Sequence, residues 1–198
     1  MDFSILKKRE KLISFFIILL LVLQSCTYLI GYRKIKEVNL SKINAFCTYR
    51  PTYIADCKVI DSNYLDRLKL VIKDSIEQKL LYQPLQVHYF INGIKLSGLV
   101  NCNASGLIGL DWNKGGAFQQ FPPISNSNVL SMKDLHQYEK LLNYNFENRS
   151  DTIILLIWTN AFPNQSKKLL NIVCKNLNEF CPNNKIYLFN LDPLYISN

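Results

Sequence analysis

The chain is poor in the groups that carry chemistry. Its two histidines, His88 and His136, stand alone, and no Cys-x-x-Cys pair occurs, so the ligand spacing of a zinc site is missing. Serines are plentiful, yet none lies in a Gly-x-Ser-x-Gly elbow, and no glycine-rich phosphate loop is present. No catalytic residue, metal or cofactor is therefore assigned from sequence. The 23 Lys and Arg against 15 Asp and Glu give a net charge of +8, but the basic residues are scattered. Nucleic-acid recognition would want a basic face interleaved with aromatics, so nucleic acid is not an expected partner. Scattered positive charge fits solubility and attraction to anionic lipid or glycan.

Long apolar runs are also scarce, and the one that exists is the most informative feature. Lys7, Lys8, Arg9 and Lys11 stand against Asp2 and Glu10, and Leu12 to Leu23 then run apolar except for Ser14. A charged start followed by an apolar stretch of this length is the pattern of a secretory signal, which predicts export. The run closes on Leu23-Gln24-Ser25-Cys26. This tetrapeptide resembles the lipobox of bacterial lipoprotein precursors, with Gln24 where a small or β-branched residue is commoner. The resemblance covers residues 1–26 alone. It implies cleavage before Cys26, diacylglycerol on the Cys26 thiol, and a chain held on a membrane facing the periplasm or exterior. Each buried methylene is worth about 0.8 kcal/mol, so stable anchoring takes more than one acyl chain, as lipoprotein maturation supplies. A second reading is an uncleaved signal anchor, since Leu12 to Tyr32 is long enough for a hydrocarbon core of about 30 Å. Against it, Gln24, Ser25 and Thr27 interrupt the run, and Arg33, Lys34 and Lys36 follow on the side that should be less basic.

Removing residues 1–25 takes away four basic and two acidic residues, lowering the charge to +6 and leaving 173 residues, enough for one domain. The expected layout is a signal over 1–25, the lipidated cysteine and a tether over 26–44, and a single mixed α/β domain over 45–198. Besides Cys26 the body holds Cys47, Cys57, Cys102, Cys174 and Cys181, an odd number that cannot all pair within the chain. Export permits disulfides, and Cys47 with Cys57 is the most reasonable local pair. Seven residues of helix between Cys174 and Cys181 would rise about 10 Å, beyond a disulfide's reach of about 7 Å between Cα atoms.

Ala45 to Ile60 is aromatic and β-branched enough for one or two irregular strands. Leu65, Leu68, Ile72, Ile76 and Leu80 repeat at helical spacing behind Asn63-x-x-Asp66, which predicts one helix ending before Pro84. Leu85 to Ile91, Asn92-Gly93 and Ile94 to Val100 predict a type I′ hairpin, with Val87, Tyr89 and Ile91 on one face and Ile94, Leu96 and Val100 opposite. Four of the seven glycines fall between Cys102 and Pro123, a stretch read as a strand over Leu107 to Trp112 and then a long loop. Ser131-x-x-Asp134 opens a second helix ending near Asn145. Thr152 to Trp158, Asn164 to Phe180 and Ile186 to Leu191 read as a βαβ unit with parallel strands.

Three constellations compete with plain structural roles. The βαβ unit loosely resembles the first such unit of a thioredoxin-like domain, through Trp158-Thr159-Asn160-Ala161-Phe162-Pro163-Asn164. That family's chemistry needs a low-pKa thiolate in this loop, where no cysteine stands, and its fold needs a hairpin after the second strand. In open α/β sheets ligands sit beyond the carboxyl ends of parallel strands, which groups Thr159, Asn160 and Asp192; Asn and Asp there also serve as turn and cap residues. Asp111, Trp112 and Asn113 form either a stacking surface for a glycan or extended peptide, or a core plug beneath a glycine-rich turn. His88 reads as a surface or satisfied histidine more than as a base. The leading expectation is a non-catalytic, lipid-anchored envelope protein that binds another envelope protein or a glycan. The competing one is an envelope enzyme, either a hydrolase gathering Asp111 and Asp192 or a degenerate thioredoxin-like protein. An enzyme needs such groups to converge on one concave pocket.

Overall fold

The structure, a computed structural model, describes residues 32–101, 110–125, 132–146 and 152–196. The apolar leader, Cys26, Cys102 and Ser131 lie outside these residues. Five strands form one mixed sheet: β1 (Ile54–Val59), β2 (Gln86–Ile91), β3 (Ile94–Val100), β4 (Thr152–Trp158) and β5 (Lys185–Asn190), in the order β1-β5-β4-β2-β3. Parallel pairing joins β1 to β5 and β5 to β4, while β2 runs antiparallel to both β4 and β3. The helices are α1 (Leu40–Cys47), α2 (Tyr64–Val71), α3 (Ser75–Leu81), α4 (Leu135–Leu142) and α5 (Pro163–Phe180). The expected α/β class and the parallel βαβ unit are observed.

Central strand β4 is apolar on both sides because both sides are covered. Ile154, Leu156 and Trp158 enter a core with α1, α5 and the 110–125 segment, while Ile153, Leu155 and Ile157 enter a second core with α2, α3 and α4. Trp158 stacks on Phe46 of α1 with ring centroids 3.8 Å apart. The disulfide Cys47–Cys57 ties α1 to β1 across a Cα separation of 6.0 Å, as the ten-residue spacing suggests. Cys174 and Cys181 are free, since α5 runs unbroken to Phe180.

The hairpin turn is as expected, with Asn92 and Gly93 both at positive φ as a type I′ turn requires. Its facing residues are different. A bulge makes Leu96 an extra residue, so Val87 lies opposite Leu99 and Gln86 opposite Val100, and Ile94 and Leu96 stay exposed. The outer edge of β3 is covered: Lys95 N–H donates to Lys133, Leu135 N–H to Gly93, and Ser97 Oγ to Pro123.

Three further expectations are corrected. The segment read as a tether to residue 44 is folded: Ile35 is buried and bridges Ile196, and Asn39 caps α1, whose Ile43 and Phe46 reach the core. Ala45 starts no strand, since α1 runs to Cys47 and β1 begins at Ile54. The single helix after Asn63 is two. Ile72 turns extended, and the Asp74 carboxylate accepts from the N–H groups of Ile76 and Glu77 and starts α3 afresh. Tyr64 and Leu81 are thereby buried in place of Ile76, and the Asn63 side chain caps nothing. In α4 the capping residue is Asp134, in a box with Gln137, and left-handed Asn143 ends the helix.

Candidate functional site

The carboxyl ends of β4 and β5 lie side by side, because Leu191 N–H continues their pairing by donating to the Trp158 carbonyl. The residues just past those ends meet as the topology predicts. Asp192 is buried, and its Oδ1 accepts from the Thr159 hydroxyl at 2.7 Å and the Asn160 N–H at 2.6 Å. Its Oδ2 accepts from Asn160 Nδ2 at 2.7 Å. Thr159 then passes order on: its Oγ1 accepts from Ala161 N–H, and its carbonyl accepts from Ser166 of α5. The carboxylate accepts three hydrogen bonds from the loop after β4, and so ties the floor of the site together.

Above that floor is a cavity of about 230 Å³, lined by Asn160 and Asp192 together with the 33–42 segment. Arg33 N–H donates to the Ala161 carbonyl, and buried Ile35 pins the segment against Ile196. Arg33, Lys34, Lys36 and Lys42 line the cavity against the carboxylates Glu37 and Asp192. None of the four cations takes part in an ion pair among the described residues. The amino end of α1 also opens here, with Asn39 Oδ1 accepting from Lys42 N–H, and its dipole adds to the positive field. Asn160 and Asp192, singled out from sequence, belong to this site. Its cationic side escaped sequence reading, although Asn39 as a cap followed by Ile43 and Phe46 at one-turn spacing was a signal for α1.

Asp111, Trp112 and Asn113 lie elsewhere. Trp112 is buried in the core beneath α5, so of its two readings the core plug is the one observed. Asp111 Oδ1 accepts from Asn113 N–H, and Asn113 Oδ1 accepts from Phe118 N–H, so both shape the turn. Asn176 of α5 holds that loop by donating to the carbonyls of Phe118 and Gln120. Leu110 to Trp112 form no strand, and Leu107 to Gly109 lie outside the described residues. Asp111 does not line the cavity that Asp192 borders.

A second polar cluster lies in the other core and is built on a different plan. Gln86 Nε2 donates to the carbonyls of Leu81 and Gln83, which leaves its Oε1 as an acceptor for His88 Nε2 at 3.0 Å. The imidazole therefore carries its proton on Nε2, and Nδ1 accepts from the Tyr138 hydroxyl at 3.3 Å. The Tyr138 oxygen in turn accepts from Lys95 Nζ at 3.2 Å. Burial, with Lys95 adding repulsion, holds His88 neutral with a pKa well below its ordinary 6.5. Burial and Lys133, opposed by Glu77, bring Lys95 down to about 8. Every bond direction in this chain is fixed, which makes it a structural network. His88 is the satisfied histidine of the two alternatives.

Among the described residues, no three His, Cys, Asp or Glu side chains gather as a metal site, and no helix is long and apolar enough to cross a membrane. No protein family, curated protein or solved structure matches this chain.

Proposed function

We propose that this chain is a lipoprotein of the bacterial cell envelope, anchored through diacylglycerol on Cys26, and that its domain is a binding module whose site is the crevice at the carboxyl ends of β4 and β5. One observation carries the reading: residues 33–42, a few positions beyond Cys26 in sequence, line that crevice. Arg33 is seven residues beyond Cys26, so an extended chain separates them by at most about 25 Å. An acylated Cys26 would thus hold the crevice close to the membrane surface, with its cations facing the lipid or whatever is bound there. The Asp192 carboxylate accepts three hydrogen bonds that tie the two loops together, and this structural engagement favours binding over catalysis.

The test is the intact mass of the protein extracted from the membrane fraction, beside a Cys26→Ala variant. The expected species begins at Cys26 and carries acyl chains that the variant lacks. An unmodified full-length mass would replace the lipid with a transmembrane anchor and return Cys26 to the ordinary thiols.

A further inference from the structure

The crevice has a charge arrangement that its own structural role does not explain. Four cations face one small cavity, no described carboxylate pairs with any of them, and the buried carboxylate on the floor is already engaged by Thr159 and Asn160. Arg33, Lys34, Lys36 and Lys42 are all exposed, so they form a solvated basic rim whose mutual repulsion water screens. Ile35 is buried between Lys34 and Lys36, and the Arg33 N–H is fixed to Ala161, so the backbone of the segment is held in place and these exposed cations stay around the crevice. Four cations against two carboxylates leave two positive charges over, which a single carboxylate ligand would only half balance.

We infer that this crevice binds a phosphate-bearing anion, as a phosphate monoester or the phosphodiester of a lipid head group. The Arg33 guanidinium offers two parallel donors that match two phosphate oxygens, and the lysines supply point charges around them. The amino end of α1, which borders the cavity through its cap Asn39, favours the same charge through the helix dipole. A cavity of about 230 Å³ is smaller than the roughly 300–1,000 Å³ that enclose drug-sized ligands, so it takes the charged group and leaves the remainder of the ligand outside. The Asn160 side chain, fixed through Nδ2 to Asp192, borders the bound group and reports on it. This inference rests on the crevice being the binding site proposed above, but not on the lipid at Cys26.

The experiment uses the full chain, isotope-labelled, in non-ionic detergent micelles and in nanodiscs of phosphatidylcholine with or without phosphatidylglycerol. Inorganic phosphate is titrated into the micelle sample while the Asn160 side-chain amide and the Arg33 signals are followed. Saturable shifts in micelles support binding of a free phosphate group. Shifts seen only when phosphatidylglycerol is present support the lipid head group as the source. In either case a Lys36→Gln/Lys42→Gln variant should bind at least about tenfold more weakly, from the loss of two charged contacts, while its urea midpoint stays at the wild-type value. Absence of shifts with both probes, or unchanged affinity in the variant, would overturn the inference. A chain that proves not to be acylated leaves the phosphate titration as informative as before, so failure of the anchor and failure of the site read out separately.

Discussion

The two polar clusters of this domain sit on opposite plans. Around His88 the buried groups form one continuous chain: backbone carbonyls hold Gln86, Gln86 holds His88, and Tyr138 bridges His88 to Lys95. At the carboxyl ends of β4 and β5 only the floor is satisfied, by the Asp192 contacts, while the cations of the rim lack partners among the described residues. Both arrangements are built from ordinary polar residues. The difference teaches what separates a structural network from a candidate binding site. A closed set of hydrogen bonds has spent its capacity on the fold, whereas an unbalanced set of charges around a crevice keeps capacity for something else.

The contrast breaks hardest at the floor. Asp192→Ala leaves the Thr159 hydroxyl and both Asn160 donors without their buried acceptor and is expected to cost about 3 kcal/mol. In a chain of this length that corresponds to a drop in Tm of roughly 10 °C. Urea denaturation gives the value, and a loss below about 1 kcal/mol would mean that water satisfies these donors without difficulty.

The closed network should break less severely. Tyr138→Phe keeps the ring, which meets Phe90 edge-on at 5.0 Å, but removes the donor to His88 Nδ1 and the acceptor for Lys95 Nζ. The expected cost is about 1–2 kcal/mol in the same measurement. An unchanged midpoint would show that the chain of bonds carries no stability.

Acid sharpens the comparison with the smallest effect. His88 has its folded pKa well below 6.5, while in the unfolded chain it takes a proton near 6.5. The folded pKa is the depressed one, so the His88 contribution is complete above pH 6.5 and is lost as pH falls. Between pH 6.5 and 5.5 the loss should be about 1 kcal/mol. A His88→Gln variant, lacking the titrating group, should show that much less change over the same interval. Equal slopes in the two proteins would place the protonation elsewhere.

Legibility from sequence tracked how local the determining interaction was. Asn92-Gly93 between two apolar runs defined the hairpin, and the continuous apolar run of β4 announced a strand covered on both faces. The bulge at Leu96 left no such mark, because it depends on how β3 meets β2 and the covering segment along its outer edge. The Asn63 helix looked continuous because its apolar residues keep helical spacing to Leu80. Asp74 competes for the N–H groups of Ile76 and Glu77, and burying Leu81 under the Tyr64 hydroxyl settles the outcome. In the site, Asn160 and Asp192 were readable from the strand ends by topology. The basic rim was not, since residues 33–42 join it only through the burial of Ile35 and the docking of α1.

By itself, then, the sequence determined the α/β class, the hairpin turn, the parallel βαβ unit and the expectation of an exported, acylated chain. Each of these follows from neighbours along the chain: hydrophobic period, turn chemistry, and a charged-apolar-cysteine order. Tertiary structure alone decided that Trp112 is a core plug, that His88 is locked neutral in a closed network, and that four cations share a cavity with Asp192. Those outcomes depend on which face of a strand or helix ends up against water, and that is fixed only when segments more than a hundred residues apart, such as Ile35 and Ile196, are brought into contact.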